Sequence, residues 1–262
     1  MRQRAILATV LLISAVGAVA TPARAAVPAG PARAPLSGGP VLLPTAPRPQ
    51  LTPAPGTQRA QMMWGPPSRG PARAGTRGAR TVALTFDDGP NAQYTPPILD
   101  ILRKHRVKAT FCVLGEEVRR HPQTTTRIVR EGHQLCNHTA GHHDMARLSP
   151  AAARTQVLTA QLQIKKISGV TPTTFRFPYG SANPRARKVV AEHKLRDLGW
   201  TIDTRDWQRP SARTITARIV NHARPGDVVL MHDGGGDRAG TVKSLDATIG
   251  QLKKKGFTFV LA

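Results

Sequence analysis

A chain of 262 residues has room for one good-sized domain with appendages or for two small ones, and the placement of its charges decides between these. All 15 acidic residues lie between Asp87 and Asp246, while the first 80 residues carry arginine as their only charged side chain and few large apolar residues, which excludes a core there. The formal net charge is +23 with only 4% aromatic residues, so the chain is strongly basic but lacks the interleaved stacking residues of a single-strand nucleic-acid binder, and no specific nucleic-acid partner is expected.

Met1-Arg2-Gln3-Arg4 is a short basic head, Ala5 to Ala20 an apolar run, and Ala23-Arg24-Ala25 a small-residue cleavage site. Together they predict a secretory signal peptide over 1–25, cleaved after Ala25. The apolar run is broken by Thr9, Ser14 and Gly17 and falls short of the roughly twenty residues a membrane span needs, so no transmembrane segment is expected in the mature chain. The expected location is secreted, either extracellular or associated with the cell wall.

Residues 26–79 are rich in Pro, Ala, Gly and Arg without hydrophobic period, the composition of a disordered linker. Met62, Met63 and Trp64 form its one apolar knot, which either docks on the domain or stays exposed. Removing Arg2, Arg4 and Arg24 with the signal leaves 35 basic residues of the 38 against 15 acidic ones, a net +20. An anionic cell envelope is the partner this charge suits, and solubility in an arginine-rich proteome accounts for it equally.

From residue 80 to 262 short apolar runs alternate with amphipathic stretches, as βα units do. The runs are Thr81 to Phe86, Ala109 to Leu114, His133 to Asn137, Thr174 to Phe177, Arg196 to Ile202, Asp227 to His232 and Phe257 to Leu261, seven in all. Thr95-Pro96, Ser149-Pro150 and Asn183-Pro184 each read as an N-cap followed by proline at the first helical position. This α/β pattern suits a compact parallel barrel or an open doubly wound sheet, and in both the chemistry sits at the carboxyl ends of the strands. Cys112 and Cys136, an even pair in an oxidising compartment, are candidates for a disulfide that spacing alone leaves open.

The strand ends are polar and titratable. The first ends in Asp87-Asp88 before Gly89-Pro90, a pattern that in isolation also fits an acidic turn capping a helix. The third ends in Asn137-His138-Thr139-Ala140-Gly141-His142-His143, the fourth in Arg176-Phe177-Pro178-Tyr179-Gly180, the fifth runs on to Asp206-Trp207, and the sixth ends in Leu230-Met231-His232-Asp233. His138 and His142, four apart, share one side if the segment is a helical turn, while in a loop, the alternative, either His142 or His143 could reach; with one carboxylate of the Asp pair the two make a two-His, one-carboxylate metal site with open positions. His105, His121 and His193 fall on helices or their ends and read as surface groups.

Five motifs in order, T-F-D-D-G-P at 85–90, H-T-x-x-H at 138–142, R-F-P-Y-G at 176–180, D-W at 206–207 and L-M-H at 230–232, resemble the polysaccharide deacetylases of the NodB-homology, or carbohydrate esterase 4, group. Phe177 stands where that family usually has proline. The resemblance implies a distorted (β/α)7 barrel and metal-dependent hydrolysis of N-acetyl groups on amino sugars of peptidoglycan or chitin-like glycan, chitooligosaccharide included. It implies Asp88, His138 and His142 as ligands of a divalent metal, Zn²⁺ foremost with Co²⁺ as substitute, and Asp87 as general base oriented by Arg176. It further implies the Tyr179 N–H at the oxyanion, His232 as general acid supported by Asp206, and Trp207 and Leu230 around the acetyl methyl. The alternatives are an O-acetyl (xylan) esterase on the same fold and a non-catalytic cell-wall glycan-binding protein; loss of the Asp pair or of His232 would mark the latter, and both are present.

Overall fold

The structure, a computed structural model, describes residues 79–262. The expected signal peptide, its cleavage site and the linker with Met62, Met63 and Trp64 lie outside the described residues. Within them the strands are β1 (Thr81–Asp87), β2 (Thr110–Val113), β3 (Gln134–Asn137), β4 (Thr174–Phe175), β5 (Arg196–Asp197), β6 (Ile202–Asp203), β7 (Asp227–His232) and β8 (Thr258–Phe259). The helices are α1 (Thr95–His105), α2 (Gly115–Arg120), α3 (Pro122–Arg130), α4 (Pro150–Ser168), α5 (Pro184–Glu192), α6 (Ala212–Val220) and α7 (Ala239–Lys254).

Every ladder is parallel, and the strand path runs β5-β4-β3-β2-β1-β7-β6, with β8 added to β1 at Thr81 and Val82. Read around a ring, that path is sequential and broken only between β5 and β6. A sequential ring with one seam is a barrel that has opened, so the fold is the distorted (β/α)7 barrel and not a doubly wound sheet, whose order reverses at its centre.

Alternation along the strands builds two compartments. Val82, Leu84 and Phe86 of β1 join Val229 and Met231 of β7 in the main core under the helices, with Ile98, Leu102, Ile215, Ile219 and Leu245. Each such side chain contributes about 1.5–3 kcal/mol on burial, which makes this outer layer the main source of stability. The opposite faces point into the barrel, where Ala83, Cys112, Cys136, Leu198 and Val228 form a floor of mostly small side chains. Cys112 and Cys136 stand opposite each other in the β2–β3 ladder and are joined as a disulfide. Above this floor the same inward rows continue as Thr85 and Asp87 on β1 and Leu230 and His232 on β7, so polarity rises toward the carboxyl ends.

Two expectations need correction. The fifth apolar run, Arg196 to Ile202, is not one strand: Arg196–Asp197 pairs with β4, Ile202–Asp203 pairs with β7, and the chain between them forms the seam. There Arg176 donates from Nε to the Leu198 carbonyl at 3.1 Å and from Nη2 to the Gly199 carbonyl at 3.1 Å, so a side chain satisfies backbone that a neighbouring strand would otherwise take. Thr95 is not a helix cap either. Ser149 and Asn183 accept from Ala152 N–H and Ala186 N–H as caps do. The Thr95 hydroxyl instead donates to the buried Asp233 carboxylate at 2.6 Å, and Tyr94 takes the cap position without a side-chain bond.

Candidate active site

Asp88, His138 and His142 come together at the mouth, their ligand atoms within 4.8 Å of one another. The helical turn expected to align the two imidazoles is absent. Thr139 and His142 have φ of 73° and 59°, and the segment is a loop shaped by Asn137 Oδ1 accepting from Thr139 N–H and Thr139 Oγ1 accepting from His142 N–H. Asx-type bonds thus do what helical spacing was expected to do. His138 Nδ1 donates to the Arg176 carbonyl at 2.7 Å; because a carbonyl only accepts, this fixes the tautomer and leaves the Nε2 lone pair toward Asp88.

The three donors fit a metal ion. Asp88 Oδ1 lies 3.4 Å from His138 Nε2 and 3.2 Å from His142 Nε2, yet it is buried and makes no hydrogen bond, so the contacts converge on a common point rather than pairing donor with acceptor. Tetrahedral ligands held about 2.0–2.1 Å from Zn²⁺ stand about 3.3–3.4 Å apart, which matches both separations. Burial by itself would raise the Asp88 pKa, but His142, His138 and His232 around it outweigh that and hold the carboxyl well below its usual range, in the anionic form a ligand needs. His143 is exposed and turned back toward Gly141.

Arg176, fully buried, fastens the second carboxylate. Its Nη1 donates to Asp87 Oδ1 and to Thr85 Oγ1, each at 2.7 Å, and Thr85 in turn donates to the Val229 carbonyl at 2.7 Å. One oxygen of Asp87 is therefore committed to the guanidinium, and Oδ2, 3.9 Å from His138 Nε2, is the one that faces the triad. The same arginine holds β1, the end of β4 and the seam.

On the far side His232 Nδ1 binds Asp206 Oδ1 at 2.6 Å, and Asp206 Oδ2 accepts from His232 N–H at 2.8 Å and Thr241 Oγ1 at 2.7 Å. Burial works against the His232 cation, but the Asp206 carboxylate, with Asp88 and Asp87 behind it, pushes its pKa up to about 9. Tyr179 sits in a left-handed conformation, φ 59°, in a 3₁₀ turn at Pro178–Gly180, with its ring edge-on to His142 at 4.5 Å. Trp207 is half-buried in the 3₁₀ turn Asp206–Gln208, and Leu230 is buried on the inward row of β7 two residues before His232.

Four supporting residues went unassigned in the sequence: Thr85, Thr241, Asp233 and Arg238. Thr85 lies inside a motif and was legible as an inward strand position. For Arg238 the available signal is the adjacent Gly234-Gly235-Gly236 run, which marks a special backbone after β7. Thr241, in the first turn of α7, carries no local signal. Asp233, fully buried with its carboxyl pushed up to about 7 by burial, reads in the sequence only as a strand end.

A family model for polysaccharide deacetylase matches residues 74–198. A peptidoglycan-N-acetylglucosamine deacetylase of Bacillus cereus is 41% identical over 180 residues, covering 68% of this chain and 66% of the relative. A chitooligosaccharide deacetylase of Bradyrhizobium sp. is 40% identical over 192 residues, covering 69% of this chain and 88% of the relative. The chain thus spans just under two thirds of the first relative and most of the second. Among solved structures, the Bc1960 peptidoglycan N-acetylglucosamine deacetylase superposes with a TM-score of 0.70 at 39% identity, over 72% of this chain and 89% of that one. Sequence identity of this extent, carried on the same opened barrel, makes the chain a member of the polysaccharide deacetylase family, the carbohydrate esterase 4 group.

Proposed function

We propose that the protein is an exported, metal-dependent N-deacetylase acting on amino-sugar glycan of the cell wall, peptidoglycan or a chitin-like oligomer, with release of acetate. The observation that carries this reading is the buried, unbonded Asp88 Oδ1 with two imidazole nitrogens 3.2 and 3.4 Å away, beside a second carboxylate whose one oxygen is spent on Arg176. Asp88, His138 and His142 would hold Zn²⁺, or Co²⁺ in its place, which when bound polarises the acetyl carbonyl and acidifies water.

The chain's own groups do the rest. Asp87 Oδ2 takes the proton of the attacking water, while Arg176 keeps the carboxylate aimed and anionic. Among the described residues no hydrogen bond takes up the Tyr179 N–H, which leaves it to donate to the oxyanion as the carbonyl carbon becomes tetrahedral. His232, cationic through Asp206, gives a proton to the amine nitrogen as the C–N bond breaks. Trp207 and Leu230 flank the space for the methyl.

The relatives' names, for N-acetylglucosamine and chitooligosaccharide, support an N-acetyl over an O-acetyl substrate. Export rests on the basic head and apolar run before Ala25, and a net +20 mature chain supports attraction to an anionic envelope. Acetate release from peptidoglycan, chitooligosaccharide and acetylxylan, measured side by side with metal supplied, tests the reading: the first two are expected to yield acetate. Release from acetylxylan alone would make the protein an O-acetyl esterase, and none from any would favour a glycan-binding role.

The His232 pKa sets a pH dependence. A histidine held cationic by a buried carboxylate partner loses its proton only as pH climbs through its raised pKa, so kcat falls on the alkaline side. Asp206→Asn removes the anion that sustains the cation, and the alkaline limb is expected to move to lower pH by about 1–3 units. A limb that stays in place in the kcat profile would remove the Asp206–His232 pair from proton delivery.

A further inference from the structure

The loop that leaves β7, Gly234-Gly235-Gly236-Asp237-Arg238, lies over the outer side of Asp88. A Cβ on Gly234 would collide with the Asp88 backbone carbonyl, and one on Gly235 with Asp88 Oδ2. Gly235 also has φ of +69°, so a side chain there is both strained and blocked. The carboxylate oxygen that does not face the imidazoles is thus backed by bare backbone.

What presses this loop into place is Arg238. It is only 4% exposed, and its guanidinium donates from Nε to the Gly234 carbonyl at 2.7 Å, from Nη2 to the Gly235 carbonyl at 3.0 Å and from Nη1 to the Asp237 carbonyl at 3.3 Å. Among the described residues it has no ion-pair partner, and it sits at the N-cap of the sixteen-residue helix α7, where the helix dipole disfavours a cation. Such a placement costs stability, and its one evident return is three carbonyls of a single loop held by one planar fork.

We propose that Arg238 is a positioning residue for Asp88: by pinning the triple-glycine loop behind the carboxylate it holds Oδ1 toward His138 and His142, and so sets the affinity of the site for a divalent metal. This rests on reading Asp88, His138 and His142 as a metal site. Loss of an outer-shell group that orients a ligand typically costs about 10–100-fold in metal affinity, and here the loop acts by close contact with Asp88 Oδ2.

The test is Zn²⁺ affinity of the full-length protein, measured by competition with a chromophoric chelator, together with the visible absorption of the Co²⁺ form. Arg238→Ala and Arg238→Lys, whose single ammonium cannot span three carbonyls, are expected to bind Zn²⁺ about 10–100-fold more weakly and to change the Co²⁺ spectrum. Gly235→Ala, which displaces the Asp88 carboxylate directly, is expected to do the same and shows that the loop's position reaches the ligand, while Arg238→Lys decides the matter if Arg238→Ala does not fold. Folded variants that bind Zn²⁺ as the wild type does, with only a lower melting temperature, overturn the proposal and leave Arg238 a plain structural residue. A wild-type protein that binds no Zn²⁺ while Asp88→Asn behaves identically overturns the metal reading beneath it, an outcome distinct from the first.

Discussion

Asp87→Asn is expected to keep its metal and to lose about 10²–10⁴-fold in turnover, the range of a positioned general base. The two oxygens of Asp87 have separate duties: Oδ1 accepts from Arg176 at 2.7 Å, and Oδ2 faces the triad. An asparagine still offers Arg176 an acceptor oxygen, but its second position becomes an amide N–H that cannot take a proton. The substitution also leaves a fully buried guanidinium without its counter-charge. Outright loss of a partner from such a pair costs about 3–5 kcal/mol, and the retained hydrogen bond reduces this. Activity therefore has to be read at a temperature where circular dichroism shows the variant folded. Asp88→Asn should behave differently, losing metal as well as rate, because its Oδ1 is the atom between the two imidazoles. Equal metal content and equal residual activity in the two variants would contradict this division of roles.

The adjacent histidines separate as sharply. His142→Ala is expected to abolish stoichiometric metal binding and reduce acetate release to background, while His143→Ala keeps its metal and most of its rate. His142 Nε2 stands 3.2 Å from Asp88 Oδ1, and its ring is packed edge-on between His138, 5.1 Å away, and Tyr179, 4.5 Å away. Its left-handed backbone, φ 59°, is what turns the imidazole inward. His143, one residue on, is exposed and lies near Gly141, outside the cluster. Metal analysis of the two purified variants checks this, and the reverse pattern would show that His143 is the ligand.

The crowding of polar groups at the strand ends was legible because inward and outward rows alternate and polarity rises along the inward rows, whereas the ring order was not: a barrel and a doubly wound sheet share that pattern, and only the family resemblance pointed to the barrel. Helix starts at Ser149 and Asn183 were legible because capping is a local transaction between neighbours. What escaped was long-range. Thr95 has the sequence of a cap, but its hydroxyl bonds a carboxylate 138 residues away. The run Arg196 to Ile202 has the apolarity of a strand, but the guanidinium of Arg176 takes its carbonyls at the seam. His138 and His142 do meet, but two left-handed residues and an Asn137-anchored turn bring them together, so the expected outcome rested on the wrong local geometry. The supports from α7, Thr241 beneath Asp206 and Arg238 behind Asp88, lie outside every motif and became visible only with the helix in place.

The most direct measurement of the central claim is acetate release from an N-acetylglucosamine oligomer by protein stripped with a chelator, assayed before and after Zn²⁺ is restored, with bound metal quantified in each sample. The metal-free protein is expected to show no turnover above background, and one equivalent of Zn²⁺ is expected to restore it. Undiminished turnover in protein shown to contain no metal would contradict the account.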